Sequence, residues 1–81
     1  MGRAKRWRVK KLPQKLFYIR TSLGLSQTDL VLKLGLDQPL YQSNISSYEI
    51  GEREPPLPVL LAYARLAGIS TDSLVDDELD L

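Results

Sequence analysis

Apolar residues recur at the spacing of a helix through most of this chain. The first set predicts a helix over about residues 13 to 23, with Pro13 in the first turn, where its missing N–H costs nothing. Gly24 ends this helix, because glycine readily adopts the left-handed conformation that follows many helices. The apolar positions of this set are Leu12, Leu16, Ile19 and Leu23.

Two short helical patterns follow, at residues 26–34 and 41–49. The first opens with Ser26 and Asp29, a variant of the capping box in which each side chain bonds the backbone N–H of the other residue. The second has only two clear apolar anchors, which lie three residues apart and so share one helical face. These anchors are Ile45 and Tyr48.

The segment at residues 51–56 contains prolines that keep it out of a helix, and a fourth helix is predicted over residues 57–67. Gly68 ends that helix in the same way as Gly24 ends the first. The chain is therefore predicted to be all-α up to this point.

A last short helix is predicted through Leu74 and Val75, with Ser70 or Thr71 as its cap. Two interpretations of the apolar pair are open. Leu74 and Val75 either close the core of this chain or contact a second subunit.

The composition limits the chemistry of the chain. Its 81 residues make one small domain, and it has no cysteine and no histidine, which excludes the usual zinc sites and cysteine or histidine catalysis. The acids are scattered, and there is no glycine-rich loop for a phosphate, so we expect neither an enzyme nor a cofactor. The apolar runs are too short to span a membrane and no signal peptide follows the basic N-terminus, so we expect a cytoplasmic protein.

The charges are separated along the chain. Seven of the eleven basic residues precede residue 16, and half of the ten acids lie in the last ten residues. We therefore divide the chain into a flexible basic arm (1–11), a helical domain (12–75) and a frayed acidic tail (76–81). The arm either attracts phosphates or is a solvated leader, and Trp7 within it either packs on the domain or stacks on a partner.

The pattern at residues 41–49 suits contact with DNA. Gln, Asn and Ser side chains can bond base edges in the major groove without the desolvation cost of a charge. The polar residues of this pattern are Gln42, Ser43, Asn44, Ser46 and Ser47.

A joint spacing of residues over about 12–75 resembles the helix-turn-helix domain of the lambda repressor and Cro type. The residues that carry the resemblance are Arg20, Gly24, Leu25, Ser26, Gln27, Leu30, Leu34, Gly35, Ile45, Ser46, Tyr48, Glu49, Gly51, Arg53, Pro55, Leu57, Leu60, Tyr63, Ala64, Gly68 and Leu74. The resemblance implies a compact five-helix bundle, with helices two and three as the DNA-reading unit. It also implies a homodimer on a two-fold site in double-stranded DNA.

Site residues follow from the same resemblance. Gln42 and Ser43 match the residues that most often touch base edges, and Asn44 and Ser47 match further base-contacting positions. The phosphate-contacting set consists of Gln27 and Arg53 from the resemblance, together with Arg6, Arg8 and Lys10 of the basic arm. Arg20 and Glu49 match a structural ion pair that orients the reading helix without touching DNA.

The chain departs from the family between Gly35 and Ile45, where it is longer by about four residues, or one helical turn. In one interpretation Asp37 caps an extra turn, and Tyr41 joins the apolar stripe of the reading helix. In the other, the insert loops out and Tyr41 begins a helix of normal length. The first is favoured slightly, because tyrosine is a poor cap.

The function predicted from these observations is sequence-specific DNA binding by a small transcriptional regulator, which we interpret as a repressor. The alternative is a protein-interaction module on the same fold, such as an antitoxin whose serine-rich helix faces a toxin. A steep fall of DNA affinity with salt distinguishes the first from the second.

Overall fold

The computed structural model describes residues 7–81, which form five α-helices and, within that range, no β-strand. This confirms the all-α expectation. The helices are α1 (Leu12–Ser22), α2 (Gln27–Leu34), α3 (Gln42–Glu49), α4 (Leu57–Ala67) and α5 (Thr71–Val75). No helix in this part of the chain is both long and apolar enough to cross a membrane.

The core lies where α3 packs against α1 and α2, while α4 contacts α2 and α5 contacts both α4 and α1. Full burial of a leucine contributes about 2 kcal/mol, so the buried leucines account for much of the stability. Leu74 is completely buried, whereas Val75 is partly exposed, so Leu74 closes the core of this chain. The buried apolar residues are Leu12, Leu16, Ile19, Leu30, Leu34, Ile45, Tyr48, Val59, Leu60, Tyr63, Ala64 and Leu74.

Local signals set the ends of α2. The Ser26 hydroxyl accepts the Asp29 N–H at 3.0 Å, and the Asp29 carboxylate accepts the Ser26 N–H at 3.4 Å, as the capping box predicts. Gly35 follows the helix with φ of +61°, a conformation that side chains with a Cβ rarely adopt. Sequence and structure therefore agree on where this short helix begins and ends.

The insert loops out, so the favoured interpretation of an extra helical turn is wrong. Residues 36–41 form an irregular segment, and α3 begins at Gln42 with Tyr41 as the residue before it. Tyr41 is 64% exposed and does not join the apolar stripe. Leu36 and Leu40 instead pack against the core, which anchors the loop at two points.

Residues beside the start of α1 contact residues at the end of α5 and at the start of the tail. The Lys10 and Lys11 N–H groups donate to the Asp77 carboxylate, and the buried Lys15 ammonium donates to the carbonyl oxygens of Ser73 and Asp76. The first contact lies at the start of α1 and the second at the end of α5. The tail therefore contacts the body of the domain at Asp76 and Asp77, where the sequence suggested fraying.

Candidate nucleic-acid interface

The starts of α2 and α3 lie side by side. Gln27 is the first residue of α2 and Gln42 the first residue of α3, and the side-chain amide of Gln42 donates a hydrogen bond to the Gln27 carbonyl oxygen. Because the first N–H groups of a helix have no partner within it, both helix starts carry free donors and partial positive charge. The arrangement brings together two amides that the sequence could assign only separately.

A buried ion pair lies behind these two amides. The Arg20 guanidinium donates to both carboxylate oxygens of Glu49, at 2.6 and 3.0 Å, and also to the Leu25 carbonyl oxygen at 2.9 Å. The side chains are 13% and 4% exposed, respectively. The hydrogen bond with Glu49 raises the pKa of Arg20. The ion pair ties α1 to the last residue of α3.

Gln27 joins the ion pair to the exposed surface. Its amide nitrogen donates to Glu49 at 3.0 Å, while its carbonyl oxygen accepts from Gln42. Side chains from three helices thus form one connected network, which runs from partly buried Arg20 to exposed Gln42. Such a network restricts the rotamers of its members, Gln42 included.

The outer face of α3 carries the remaining predicted base-contacting residues. Ser43 is exposed, while Asn44 and Ser47 are partly exposed. Ile45 and Tyr48 are buried on the opposite face, as their spacing predicted. The Ser47 hydroxyl lies 3.5 Å from the Glu52 carboxylate, at the long limit of a hydrogen bond.

Asn44 has a local role that the sequence did not indicate. Its side-chain oxygen accepts the Tyr41 N–H at 2.9 Å and so stabilises the start of α3. Tyr41 supplies no side-chain cap of its own. The sequence feature that could have indicated this role is the spacing: Asn44 lies three residues after Tyr41, where a side-chain oxygen can accept the N–H of the residue before the helix.

Arg53 lies in the turn after α3, beside the first described residues of the chain. It lines an open cleft with Trp7, Arg8, Glu52 and Glu54. The Arg8 guanidinium donates to the Gly51 carbonyl oxygen at 3.0 Å. The cleft therefore brings the predicted phosphate contacts Arg8 and Arg53 together.

The other members of the basic arm are placed differently. Lys10 is exposed and its backbone N–H bonds Asp77, while Trp7 is 98% exposed and is not packed on the domain. Arg6 lies outside the described residues, as do the other basic positions of the first six. Sequence reasoning missed Glu54 and Asp77, whose carboxylates accept the N–H groups of this segment.

The described residues also limit other chemistry. Within residues 7–81 no group of acidic side chains is arranged to hold a metal ion.

Tyr63 lies beneath the network. Burial first, and the negative charge of Glu49 second, raise the pKa of its hydroxyl, so the group stays neutral. The arrangement as a whole offers uncharged amides and hydroxyls beside helix starts and cations. That combination suits hydrogen bonding to base edges and phosphate oxygens.

Comparison with known proteins agrees with this geometry. A family model described as helix-turn-helix matches residues 16–74. The chain is also 37% identical over 62 residues to a protein of Bacillus subtilis (strain 168) named "SPbeta prophage-derived uncharacterized HTH-type transcriptional regulator YonR". That match covers 76% of this chain and 54% of the relative, so the chain spans about half the length of the relative.

Proposed function

Because the chain belongs to the helix-turn-helix family, of the lambda repressor and Cro type, we propose that it binds double-stranded DNA sequence-specifically as a small transcriptional repressor. It is a binding protein and not an enzyme, in keeping with its family and with the name of its relative. A cytoplasmic location is part of the same proposal.

The observation that carries the proposal is the network that ends at Gln42. One amide N–H of Gln42 is used on Gln27, which leaves its second N–H and its carbonyl oxygen free. A donor and an acceptor on one amide match the N7 and N6–H groups of adenine in the major groove. The network would fix the direction of that amide before DNA binds, which lowers the cost of ordering it.

Phosphate contacts would set the register of the complex. Gln27 keeps one free amide N–H at the start of α2, where the helix dipole favours an anion. Arg53, Arg8, Lys10 and Arg6 add positive charge, which binds the DNA backbone without regard to sequence. These contacts position the protein, and the base contacts select the site.

Base reading is assigned to the outer face of α3. Ser43 and Ser47 would bond bases singly or through water, because their side chains are short. Asn44 would use its amide nitrogen, since its oxygen accepts the Tyr41 N–H. Arg20 and Glu49 take a structural role and orient α3 from behind.

A homodimer completes the proposal, because helix-turn-helix dimers read two half-sites about one helical turn of DNA apart. Exposed apolar side chains support a protein contact: Ile50 and Leu57 flank the turn after α3. An exposed Ile50 directly after α3 also suits the alternative function, in which the serine-rich helix faces a protein such as a toxin.

Selection from random duplex DNA tests the proposal. The purified full chain would be used to enrich duplexes, and binding of the enriched sequences would be measured across a salt series. We expect a two-fold repeat whose affinity falls steeply with salt. If no motif is enriched and the weak binding disappears with salt, the DNA-reading function is wrong and the face has a protein partner.

A further inference from the structure

The acidic tail is bound to the basic end of the chain. The Asp77 carboxylate accepts the Lys10 N–H at 3.0 Å and the Lys11 N–H at 2.9 Å. Lys10 and Lys11 are the two residues that precede α1. Asp77 therefore ties the entry to α1 to the opposite end of the sequence.

A second carboxylate holds the preceding residues. Glu54 accepts the Val9 N–H at 2.8 Å, and Arg8 reaches the Gly51 carbonyl oxygen in the same turn. Val9 is partly buried against the core. Residues 8–11 thus have four hydrogen bonds to two separate segments, although the sequence suggested flexibility.

These contacts give the segment a direction. It runs from the start of α1 along the turn that follows α3, and its described end lies beside Arg53. Arg8 and Arg53 therefore lie together beside the end of the reading helix.

We propose that Glu54 and Asp77 are positioning residues for DNA binding, which hold residues 8–11 so that Arg8, Lys10 and Arg53 contact the same stretch of DNA backbone. This inference rests on the proposed function. It assigns the tail carboxylate Asp77 a favourable effect on DNA affinity, although its charge has the same sign as that of DNA.

A carboxylate at this position can favour DNA binding because neighbouring N–H groups and lysines already surround its negative charge. The backbone hydrogen bonds from Lys11 and Lys10 hold the pKa of Asp77 below its usual value, and the charges of Lys15 and Lys11 lower it further. Its repulsion of phosphates is therefore partly compensated by those lysines. Charges separated by more than about 10 Å are also screened at ordinary ionic strength.

Paired neutral substitutions in the full chain provide the test. Asp77→Asn and the matched control Asp80→Asn remove the same charge from the same tail, but Asp80 makes no hydrogen bond within residues 7–81. Binding to a short mixed-sequence duplex would be measured by fluorescence anisotropy across a salt series. We expect Asp77→Asn to weaken binding roughly three- to tenfold and to reduce the salt slope by about one. Asp80→Asn should bind as tightly as the unchanged protein or slightly more tightly.

A variant that lacks the cations held in residues 8–11 separates positioning from simple stabilisation. Arg8→Gln and Lys10→Gln would be combined with Asp77→Asn in one chain. If Asp77 acts by positioning Arg8 and Lys10, its substitution has little effect in this background. An equal loss in both backgrounds would overturn the proposal, as would Asp77→Asn binding DNA at least as tightly as Asp80→Asn.

A second pair covers the case in which loss of Asp77 unfolds α1, which circular dichroism would reveal. Glu54→Gln removes the acceptor of the Val9 N–H, and Glu78→Gln is its matched control. We expect Glu54→Gln to weaken binding and Glu78→Gln to leave it unchanged; equal affinities would overturn the proposal. Failure of the unchanged protein to bind any duplex would instead overturn the proposed function.

Discussion

At the scale of single residues, Gln27 is the central member of the candidate interface. It accepts a hydrogen bond from Gln42 on the exposed side and donates one to Glu49 on the buried side. Its second amide N–H has no partner among the described residues, and Gln27 is the first residue of α2. One side chain thus connects the proposed base contact, the proposed phosphate contact and the ion pair.

The buried ion pair gives a stability prediction. Glu49→Ala leaves the Arg20 guanidinium without its carboxylate at a site where both side chains are largely buried. We expect the free energy of unfolding to fall by about 3 kcal/mol, the lower end for a broken buried pair, because Arg20 retains slight exposure and its bond to Leu25.

Urea denaturation followed by circular dichroism measures this change. Glu78→Ala, at an exposed position in the tail, is the control and should change stability little. A loss of less than about 0.5 kcal/mol for Glu49→Ala would mean that the pair behaves like one on the surface.

Asp77 gives a prediction about pH. Its folded pKa lies below the ordinary value of 3.8, so the unfolded chain binds this proton more readily than the folded one. The stabilisation is therefore complete above the unfolded pKa and is lost as pH falls through the folded pKa.

The comparison with Asp77→Asn isolates this effect. The difference in unfolding free energy between the two proteins should be constant near neutral pH and should shrink as the pH falls below about 4. Urea titrations at a series of pH values measure it. A difference that stays the same down to the acid limit would show that the carboxylate gains nothing from its two N–H donors.

Residue roles were partly readable from the sequence. Arg20 and Glu49 were paired through the family resemblance, and their contact is present in the structure. Asn44 was assigned to base reading alone, because its bond to Tyr41 depends on where α3 begins. If α3 began one turn earlier, the Asn44 side chain would not reach the backbone N–H that precedes the helix.

At the scale of elements, the helices were predictable where their ends carry local signals. The Ser26 and Asp29 box and the glycines after α2 and α4 lie within one turn of the ends they set. The insert was mispredicted because its conformation depends on distant packing. Leu36 and Leu40 reach the core only once the helices have assembled.

Lys15 tests the contact between α1 and α5. Lys15→Met keeps the length of the side chain but removes the ammonium that donates to Ser73 and Asp76, at 2.7 and 2.9 Å. Two partly buried carbonyl oxygens then lose a charged donor. We expect a loss of about 2 kcal/mol in the free energy of unfolding.

Thermal and urea unfolding measure this loss, with Lys33→Met on the exposed side of α2 as the control. Unchanged or increased stability of Lys15→Met would mean that desolvation of the ammonium outweighs its two hydrogen bonds.

For the molecule as a whole, the segment that leads into α1 meets the acidic segment that follows α5. Lys10 and Asp77 are 67 positions apart in the sequence, yet they share a hydrogen bond. The sequence shows that the basic and acidic residues are separated along the chain. The packing of α5 against α1 brings Lys10 and Asp77 together. Lys10, Lys11 and Asp77 therefore lie on one side of the domain.

The most direct test of DNA reading by α3 is the ratio of affinities for a selected duplex and a shuffled duplex of the same composition. We expect a ratio of about 10³ or more for the unchanged protein at physiological salt. Gln42→Ala should lower that ratio roughly tenfold or more while leaving the affinity for the shuffled duplex nearly unchanged, because the phosphate contacts remain. Gln14→Ala, an exposed glutamine on α1, should leave the ratio intact. A ratio near one for the unchanged protein, or a ratio insensitive to Gln42→Ala, would contradict the account.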